Sequence, residues 1–489
     1  MKKKFRIASL ASEVAPYSKT GGLADVAKAL PKALAARGHE VIILTPYYSF
    51  IKTQGLALKN VDPDPPCSIV VGRQQFPIYF KEVALSPNFR VYFVGNEELF
   101  GRHSRVYGYA EDNLRFMVFD LACLALLEHL RFKPHIIHCH DWQSGLVPNL
   151  LALHAKAYPS LSKSATVFTI HNLVHQLGGN WWNVPEQSRD EGKNNPPVEN
   201  SKIRYVNFTK RGILFADVIN TVSERYAKEI LTSEFGQGLD KYLRRRQKDV
   251  YGIINGIDYT IYNPAFDQNI KYRYDWNSLR RKKKNKLLLQ RTLRMEENPE
   301  IPLIGAVSRL SEQKGFDLIM QLLDVLMRLP LQIVVVGSGD KDYIKFFKSA
   351  EKKHPKKIGI YTPFSEEMAS KVYAASDMFL MPSRFEPCGL SQLISLRYGS
   401  IPIVRETGGL SETISSFNPK THKGNGFVFT KYDKDDFLVA LVRALENYKY
   451  PQVWEFLTWN GMRHSYSWEL PATKYLKLYG IALKKKNKP

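Results

Sequence analysis

Cysteine is scarce in this chain, with Cys67, Cys123, Cys139 and Cys388 the only four among 489 residues. They form no CxxC pair and match no disulfide framework, which argues against a stapled secreted scaffold and for a reducing compartment, the cytoplasm by default. Long apolar runs are missing as well. No uninterrupted stretch approaches the roughly 20 residues of a bilayer span, so no helix is expected to cross a membrane. The basic start Lys2-Lys3-Lys4 ahead of a short apolar stretch imitates a secretory leader, but Glu13 and Lys19 interrupt it too early and a first β-strand fits better. Acidic residues are in deficit, 47 against 70 Lys and Arg, giving a formal charge of +23. Such a balance raises nucleic acid as a partner. Against it, no zinc-finger spacing or RNA-recognition signature is present. Much of the excess sits in local runs, Arg244-Arg245-Arg246, Arg280 to Lys284 with Lys286, and Lys484-Lys485-Lys486, which read as solvated faces and a loose tail. The remaining positive field suits a small anionic substrate.

What is present is a regular alternation of strand-like and helical segments, the signature of parallel α/β architecture. The length exceeds one ordinary hydrophobic core, so two domains of roughly 200–250 residues are expected. In the first half, Phe5–Leu10, Val41–Thr45, His135–Cys139, Val167–Ile170 and Val218–Thr221 read as strands. A helix begins near Leu23 with Leu23, Val26, Leu30 and Leu34 on one face; Pro31 is expected to kink it and Gly38 to stop it. The second half repeats the rhythm with Leu303–Val307, Leu331–Val336, Met378–Met381 and Ile401–Val404, runs apolar enough for strands buried on both faces. The basic stretch 271–294 reads as a linker or an exposed helix. Residues Leu177 to Asn200, with Trp181 and Trp182, lack periodicity and read as a loop, whose tryptophans pack on the body or stack on a ligand.

Polar and glycine-rich residues fall just after the strands, where open α/β sheets form their ligand crevice. Lys19-Thr20-Gly21-Gly22 follows the first strand and combines a cation, a close backbone approach and a helix start suited to an anion. It is neither GxGxxG nor the Walker pattern. Arg309 and Lys314 follow another strand and can bracket a diphosphate, by a forked contact and by a point charge respectively. Thr407-Gly408-Gly409 supplies a third anion-suited turn. Between them Glu386, in Arg384-Phe385-Glu386-Pro387-Cys388-Gly389-Leu390, can stabilise positive charge at an anomeric carbon, or merely cap a helix or pair with Arg384. His138-Cys139-His140 invites a zinc reading, but strand alternation points Cys139 away from both histidines and no second ligand pair exists, so no metal is expected. Asp62-Pro63-Asp64 lies in a proline-rich loop and is read as incidental.

Taken in order, these segments resemble the bacterial glycogen synthase and plant starch synthase family, the family-5 glycosyltransferases. The resemblance rests on Lys19-Thr20-Gly21-Gly22-Leu23-Ala24-Asp25-Val26, His138-Cys139-His140-Asp141-Trp142-Gln143, Tyr251-Gly252-Ile253-Ile254-Asn255-Gly256-Ile257-Asp258, Ser308-Arg309-Leu310 with Gln313-Lys314-Gly315, and the two loops around Glu386 and Gly408. It implies a GT-B fold of two doubly wound Rossmann-like domains with an interdomain active-site cleft: residues 1–252 on the acceptor side, 253–458 on the nucleotide-sugar side, and 459–489 returning to the first domain.

The activity it implies is retaining transfer of glucose from ADP-glucose to the non-reducing end of an α-1,4-glucan, without a metal or cofactor. Asp141, His171 and Glu386 are then expected around the transferred glucose. Lys19, Gly21, Gly22, Asn172, Asn255, Arg309, Lys314, Cys388, Gly389, Leu390, Thr407 and Gly408 are expected against the donor, and Phe364 on its base. Rival readings are the same fold using UDP-glucose, or a non-catalytic glucan-binding homologue, against which the intact Lys19, Arg309, Lys314 and Glu386 argue. The resemblance is also compatible with a plastid stroma after removal of a transit peptide. Three departures stand out: Arg211-Gly212 replaces the usual paired glycines, the pattern lapses after His171-Asn172 through Asn200, and Phe364, preceded by Pro363, stands where many members carry a tyrosine close to the nucleotide base.

Overall fold

The computed structural model describes residues 4–61 and 63–487; Lys2 and Lys3 of the basic start and Asp62 of the Asp62-Pro63-Asp64 triplet lie outside them. The chain forms two compact units, Met1–Asn255 with Trp468–Pro489, and Gly256–Ser467. The sequence places the changeovers at 252/253 and 458/459. In the structure the Ile257 N–H donates to the Tyr466 carbonyl and Ile257 bridges to Ser467, which keeps 459–467 with the second unit.

In the first unit the strands are β1 (Arg6–Leu10), β2 (Glu40–Pro46), β3 (Lys59–Val61), β4 (Ser68–Val71), β5 (Gln74–Pro77), β6 (Tyr79–Ser86), β7 (Phe89–Gly95), β8 (Ile136–His140), β9 (Ala165–Ile170), β10 (Val218–Thr221) and β11 (Val250–Gly252). Apart from the separate β4–β5 pair they form one sheet in the order β11-β10-β9-β8-β1-β2-β7-β6-β3. It is parallel except where β6 meets β7 and β3. The helix Gly22–Ala35 follows β1 and runs on through Pro31, burying Leu23, Val26, Leu30 and Leu34. Gly38 then turns the chain at φ +85°, a left-handed conformation that suits glycine. The helix Asp112–His129, apolar on nearly every face, is buried almost all round.

The second unit carries β12 (Leu303–Val307), β13 (Gln332–Val336), β14 (Ile358–Tyr361), β15 (Met378–Met381), β16 (Ile401–Arg405) and β17 (Phe427–Phe429). Their order is β14-β13-β12-β15-β16-β17, parallel throughout. Each sheet therefore has a point where the strand order reverses, β1 against β8 in the first unit and β12 against β15 in the second. Crossovers leave such a point on opposite faces, so the loops at its carboxyl ends are left uncovered by helices.

The basic runs are less solvated than their composition suggests. Residues 280–292 form a helix, and only Arg280, Arg281, Lys283 and Lys284 of its charged residues at the start are exposed as read from the sequence. Lys282 is buried and donates to the carbonyls of Tyr373 and Ala374 at 3.2 and 3.1 Å, at the end of the helix Glu366–Ala375 where the dipole is negative. Lys286 is buried against Asp377 at 2.7 Å and the Pro299 carbonyl at 2.7 Å. Arg246 donates to the carbonyls of Ile213, Leu214, Ala216 and Asp217 and so closes the helix Phe208–Phe215. The lysine tail is the last turn of the helix Glu469–Lys486, with Lys485 paired to Asp249 at 2.5 Å. That helix belongs to the first unit's core through Ala472, Tyr475, Leu478, Tyr479, Ala482 and Leu483.

Burial pushes the Lys282 ammonium down from 10.5 to about 7, with Asp377 opposing the fall and Lys286 adding to it. A base depressed by folding stabilises fully above its unfolded pKa and loses that contribution as pH drops through the folded one. Lys282→Met is therefore expected to gain on the wild type, by on the order of 2 kcal/mol, between pH 9.5 and pH 7. Denaturant unfolding at the two pH values checks this; a constant gap refutes it.

Candidate active site

At the reversal point of the first sheet, the loop after β1 faces the loop after β8. Glu13 is buried and accepts hydrogen bonds from the Thr20 amide at 2.5 Å and the Thr20 hydroxyl at 2.7 Å, clamping the Lys19–Gly22 turn. A Cβ built on Gly21 meets only a Glu13 carboxylate oxygen, at 3.9 Å, so there is room beside the turn. Lys19, ahead of the helix, pairs at 3.0 Å with Asp25 in its first turn. Asp141, directly after β8, adopts φ +57°, an uncommon value for a residue with a side chain. Its amide donates to the Thr169 carbonyl at 2.8 Å, and its Oδ1 accepts the His171 amide at 2.6 Å. Two adjacent strand ends are tied together in this way.

Behind Asp141 stands a row of imidazoles. His171 Nε2 lies 3.0 Å from His140 Nδ1, and His140 Nε2 lies 3.2 Å from Ser9 Oγ. His138 sits between Thr169 Oγ1 at 2.6 Å and Tyr479 Oη at 2.9 Å. Burial holds all three neutral: His138 and His171 fall to about 3, and His140 well below its ordinary value. The rings of His138 and His140 are 4.0 Å apart and Cys139 is buried in the core. Among the described residues, no group of three or more His, Cys, Asp and Glu side chains is arranged to hold a metal ion. Asn172 uses its side-chain oxygen to accept the Val174 amide, turning the chain away from the strand end. Asn255, just past β11, has a buried side-chain oxygen without a hydrogen-bond partner.

At the reversal point of the second sheet, the loops after β12 and β15 are joined by an ion pair. Lys314 Nζ lies 2.5 Å from Glu386 Oε2, which also accepts the Ser383 hydroxyl at 3.1 Å. Glu386 is buried and pairs with Lys314, not with Arg384. Arg384 turns instead to Glu312 and Asp317, each at 3.5 Å, and lies over the Tyr432 ring. Gln313 adds two ties, its carbonyl accepting the Arg384 amide at 2.9 Å and its side chain donating to the Phe385 carbonyl at 3.3 Å. Arg309 is exposed on the same strand end.

The paired glycines of the second unit serve packing. A Cβ on Gly408 would stand 2.0 Å from the Glu386 carbonyl oxygen and one on Gly409 would stand 2.3 Å from that of Cys388. The Gly409 amide donates to the Glu386 carbonyl at 3.1 Å. The close approach read from the sequence is thus made by the neighbouring loop's backbone, and it fixes Glu386, Pro387 and Cys388 against Gly408 and Gly409. Thr407 keeps a buried hydroxyl without a partner. Phe364 is exposed, its amide held by Ser338 Oγ at 2.8 Å, while the Ser338 carbonyl accepts the Leu310 amide at 2.9 Å. Ser338 thus ties the backbone of Phe364 to the loop of Arg309 through two successive hydrogen bonds. The residue that sequence reasoning missed is Glu13: a carboxylate beyond β1 was visible, but its burial and its clamp on Thr20 were not.

A family profile described as starch synthase catalytic domain matches residues 6–245, and one described as glycosyl transferases group 1 matches residues 293–455. The chain is 41% identical to a glycogen synthase of Pseudothermotoga lettingae over 489 residues, 98% of this chain and 99% of the relative. It is 41% identical to one of Clostridium novyi over 483 residues, 97% of this chain and 98% of the relative. Among solved structures it is similar to the catalytic domain of starch synthase IV from Arabidopsis thaliana bound to ADP and acarbose, with a TM-score of 0.87 and 33% identity, covering 99% of this chain and 100% of that one. A sucrose-phosphate synthase from Thermosynechococcus elongatus, at TM-score 0.59 and 18% identity over 98% of both chains, shares the fold.

Burial raises the carboxyls of Glu13 and Asp141 from 4.5 and 3.8 to about 7 each, against the hydrogen bonds they accept, with the charge of Asp25 adding to the rise at Glu13 and that of Glu13 to the rise at Asp141. An acid raised by folding stabilises fully below its unfolded pKa and loses that contribution as pH climbs through the folded one. Between pH 5 and pH 8 the ligand-free protein is therefore expected to lose stability through these two groups. In Asp141→Asn, which keeps an oxygen for the His171 amide, that loss shrinks by on the order of 2 kcal/mol. Unfolding midpoints of wild type and variant at both pH values decide it; parallel declines count against the assignment.

Proposed function

This chain belongs to the glycogen and starch synthase family of GT-B hexosyltransferases, and on that premise we propose that it moves the glucosyl group of ADP-glucose onto the non-reducing end of an α-1,4-glucan with retention of configuration. The observation that carries the assignment to residues is the partly buried Lys314–Glu386 pair, backed by the Gly408-Gly409 turn. It sets a cation for a departing phosphate beside a carboxylate for the positive charge that grows at the anomeric carbon. Arg309 and Lys19 add charge to the diphosphate, so this reading needs no resident metal or cofactor. Phe364 stacks on the base, and the partnerless oxygens of Asn255 and Thr407 find donors on the substrate.

In this reading the bond from the anomeric carbon to the phosphate oxygen breaks as the acceptor's 4-hydroxyl oxygen bonds to the same carbon from the same face. The hydroxyl proton passes to the leaving phosphate. Asp141 and His171 face the transferred glucose, with His171 kept neutral by burial so that it donates or accepts a hydrogen bond without adding charge. Holding the reactants and stabilising the leaving group supply most of the rate enhancement. Nucleic acid is not a partner in this scheme. Among the described residues no helix is long and apolar enough to cross a membrane, and we place the enzyme in the cytoplasm.

Glucose incorporation into glycogen, measured separately with ADP-glucose and UDP-glucose, is expected to be faster with ADP-glucose; the reverse order overturns the donor assignment. Glu386→Gln is expected to lower kcat by about 100-fold or more while leaving the unfolding midpoint within a few degrees. Near-normal turnover removes Glu386 from the chemistry.

A further inference from the structure

The stretch that departs from the family pattern is ordered by a second departure. Arg211 is 2% exposed and reaches Asp190 with a two-pronged contact, Nε to Oδ2 at 2.8 Å and Nη2 to Oδ1 at 2.8 Å. Its Nη1 donates to the Asn194 carbonyl at 2.5 Å and to Asn149 Oδ1 at 3.0 Å. Asp190 in turn accepts the amides of Gly192 at 3.0 Å and Asn207 at 3.2 Å, and Lys210 donates to its carbonyl at 2.5 Å. A buried ion pair of this kind contributes little net stability, because desolvation offsets the attraction; what it supplies is fixed geometry. Here it fixes a segment made of little more than 3-10 turns.

The fixed segment presents one large aromatic side chain to solvent. Trp181 is buried with Leu177 and Val184, whereas its neighbour Trp182 is 58% exposed. The Trp182 amide is capped by Asn180 Oδ1 at 3.0 Å, and its indole N–H donates to Gln237 Oε1 at 3.3 Å. Gln176 holds the same support, donating to the Gln237 carbonyl at 2.8 Å and accepting from Asn207 at 2.6 Å. The polar edge of the indole is thus satisfied within the protein, while much of the ring stays in water at an energetic cost. The segment departs directly from His171-Asn172, the strand end assigned to the transferred glucose.

We infer that Trp182 is a stacking platform for a glucose ring of the incoming glucan, and that the Arg211–Asp190 fork is the positioning device that holds it there. The inference rests on the function proposed above and specifies its acceptor side. The apolar C–H face of a pyranose matches an indole whose one polar group is already engaged, and a neutral polysaccharide needs no charge on the platform itself.

The test uses the full chain with saturating ADP-glucose and either glycogen or maltose as acceptor. Trp182→Ala is expected to raise acceptor KM about three- to tenfold, the range that one aromatic stacking contact supplies, and KM for ADP-glucose stays within about twofold. Trp182→Phe is expected to recover most of the loss. Asp190→Asn is expected to give the same acceptor-selective rise in folded protein, which a purely stabilising role would not produce. An unchanged acceptor KM in Trp182→Ala overturns the platform. Asp190→Asn with normal acceptor KM, or recovered only as aggregate, overturns the anchor. If the wild type transfers glucose to no glucan, the function assignment fails instead. Quenching of tryptophan fluorescence by maltoheptaose without donor, present in wild type and weakened in Trp182→Ala, then still tests the platform.

Discussion

Both units depend on one constraint of parallel sheets: consecutive strands must be joined by crossovers, and where the order of strands reverses, neighbouring crossovers part to opposite faces. β1 lies between β8 and β2, and β12 lies between β15 and β13. The chain segments leaving β1, β8, β12 and β15 therefore end in the least covered part of each sheet. Glu13 and Lys19, Asp141, Arg309 and Lys314, and Glu386 lie on those four segments in turn. Their chemistry is inherited from that topology before any side-chain contact is considered.

The two reversal points handle charge in opposite ways. In the first unit, carboxyls and imidazoles are sunk in a medium with few countercharges, so burial favours their neutral forms. In the second, the carboxylate of Glu386 is matched by the Lys314 ammonium at 2.5 Å. A lysine already drawn into place by a carboxylate loses less side-chain freedom when a phosphate arrives than one waving in solvent. The price is competition between two anions for one cation.

Much of this arrangement was legible in the sequence because it is written in local chemistry. Buried parallel strands need unbroken apolar runs, and Leu303–Val307, Met378–Met381 and Val218–Thr221 formed as read. Glycine-rich turns after strands announced the ligand edge, although at Gly408 and Gly409 the demand for glycine comes from the adjoining backbone. What composition could not disclose was burial of charge. Lys282 and Lys286 look like any other members of a basic run until the helix Glu366–Ala375 and Asp377 are brought against them. Arg211 and Asp190 stand 21 positions apart, and nothing local marks them as partners. Glu13 was hidden for the same reason, its function depending on a turn that closes over it.

The route of the chain has a consequence for how the protein is made. Residues 256–467 are inserted between two parts of the first unit, which is completed by the helix Glu469–Lys486. Tyr479 from that helix meets His138, and Tyr475 accepts from Asn220, so the imidazole row is fully partnered only when this segment docks. On a ribosome the entire inserted unit emerges before that helix does. A nascent chain therefore carries the whole inserted unit while the first unit still lacks its last helix, and His138 gains its Tyr479 partner only after translation has passed through both.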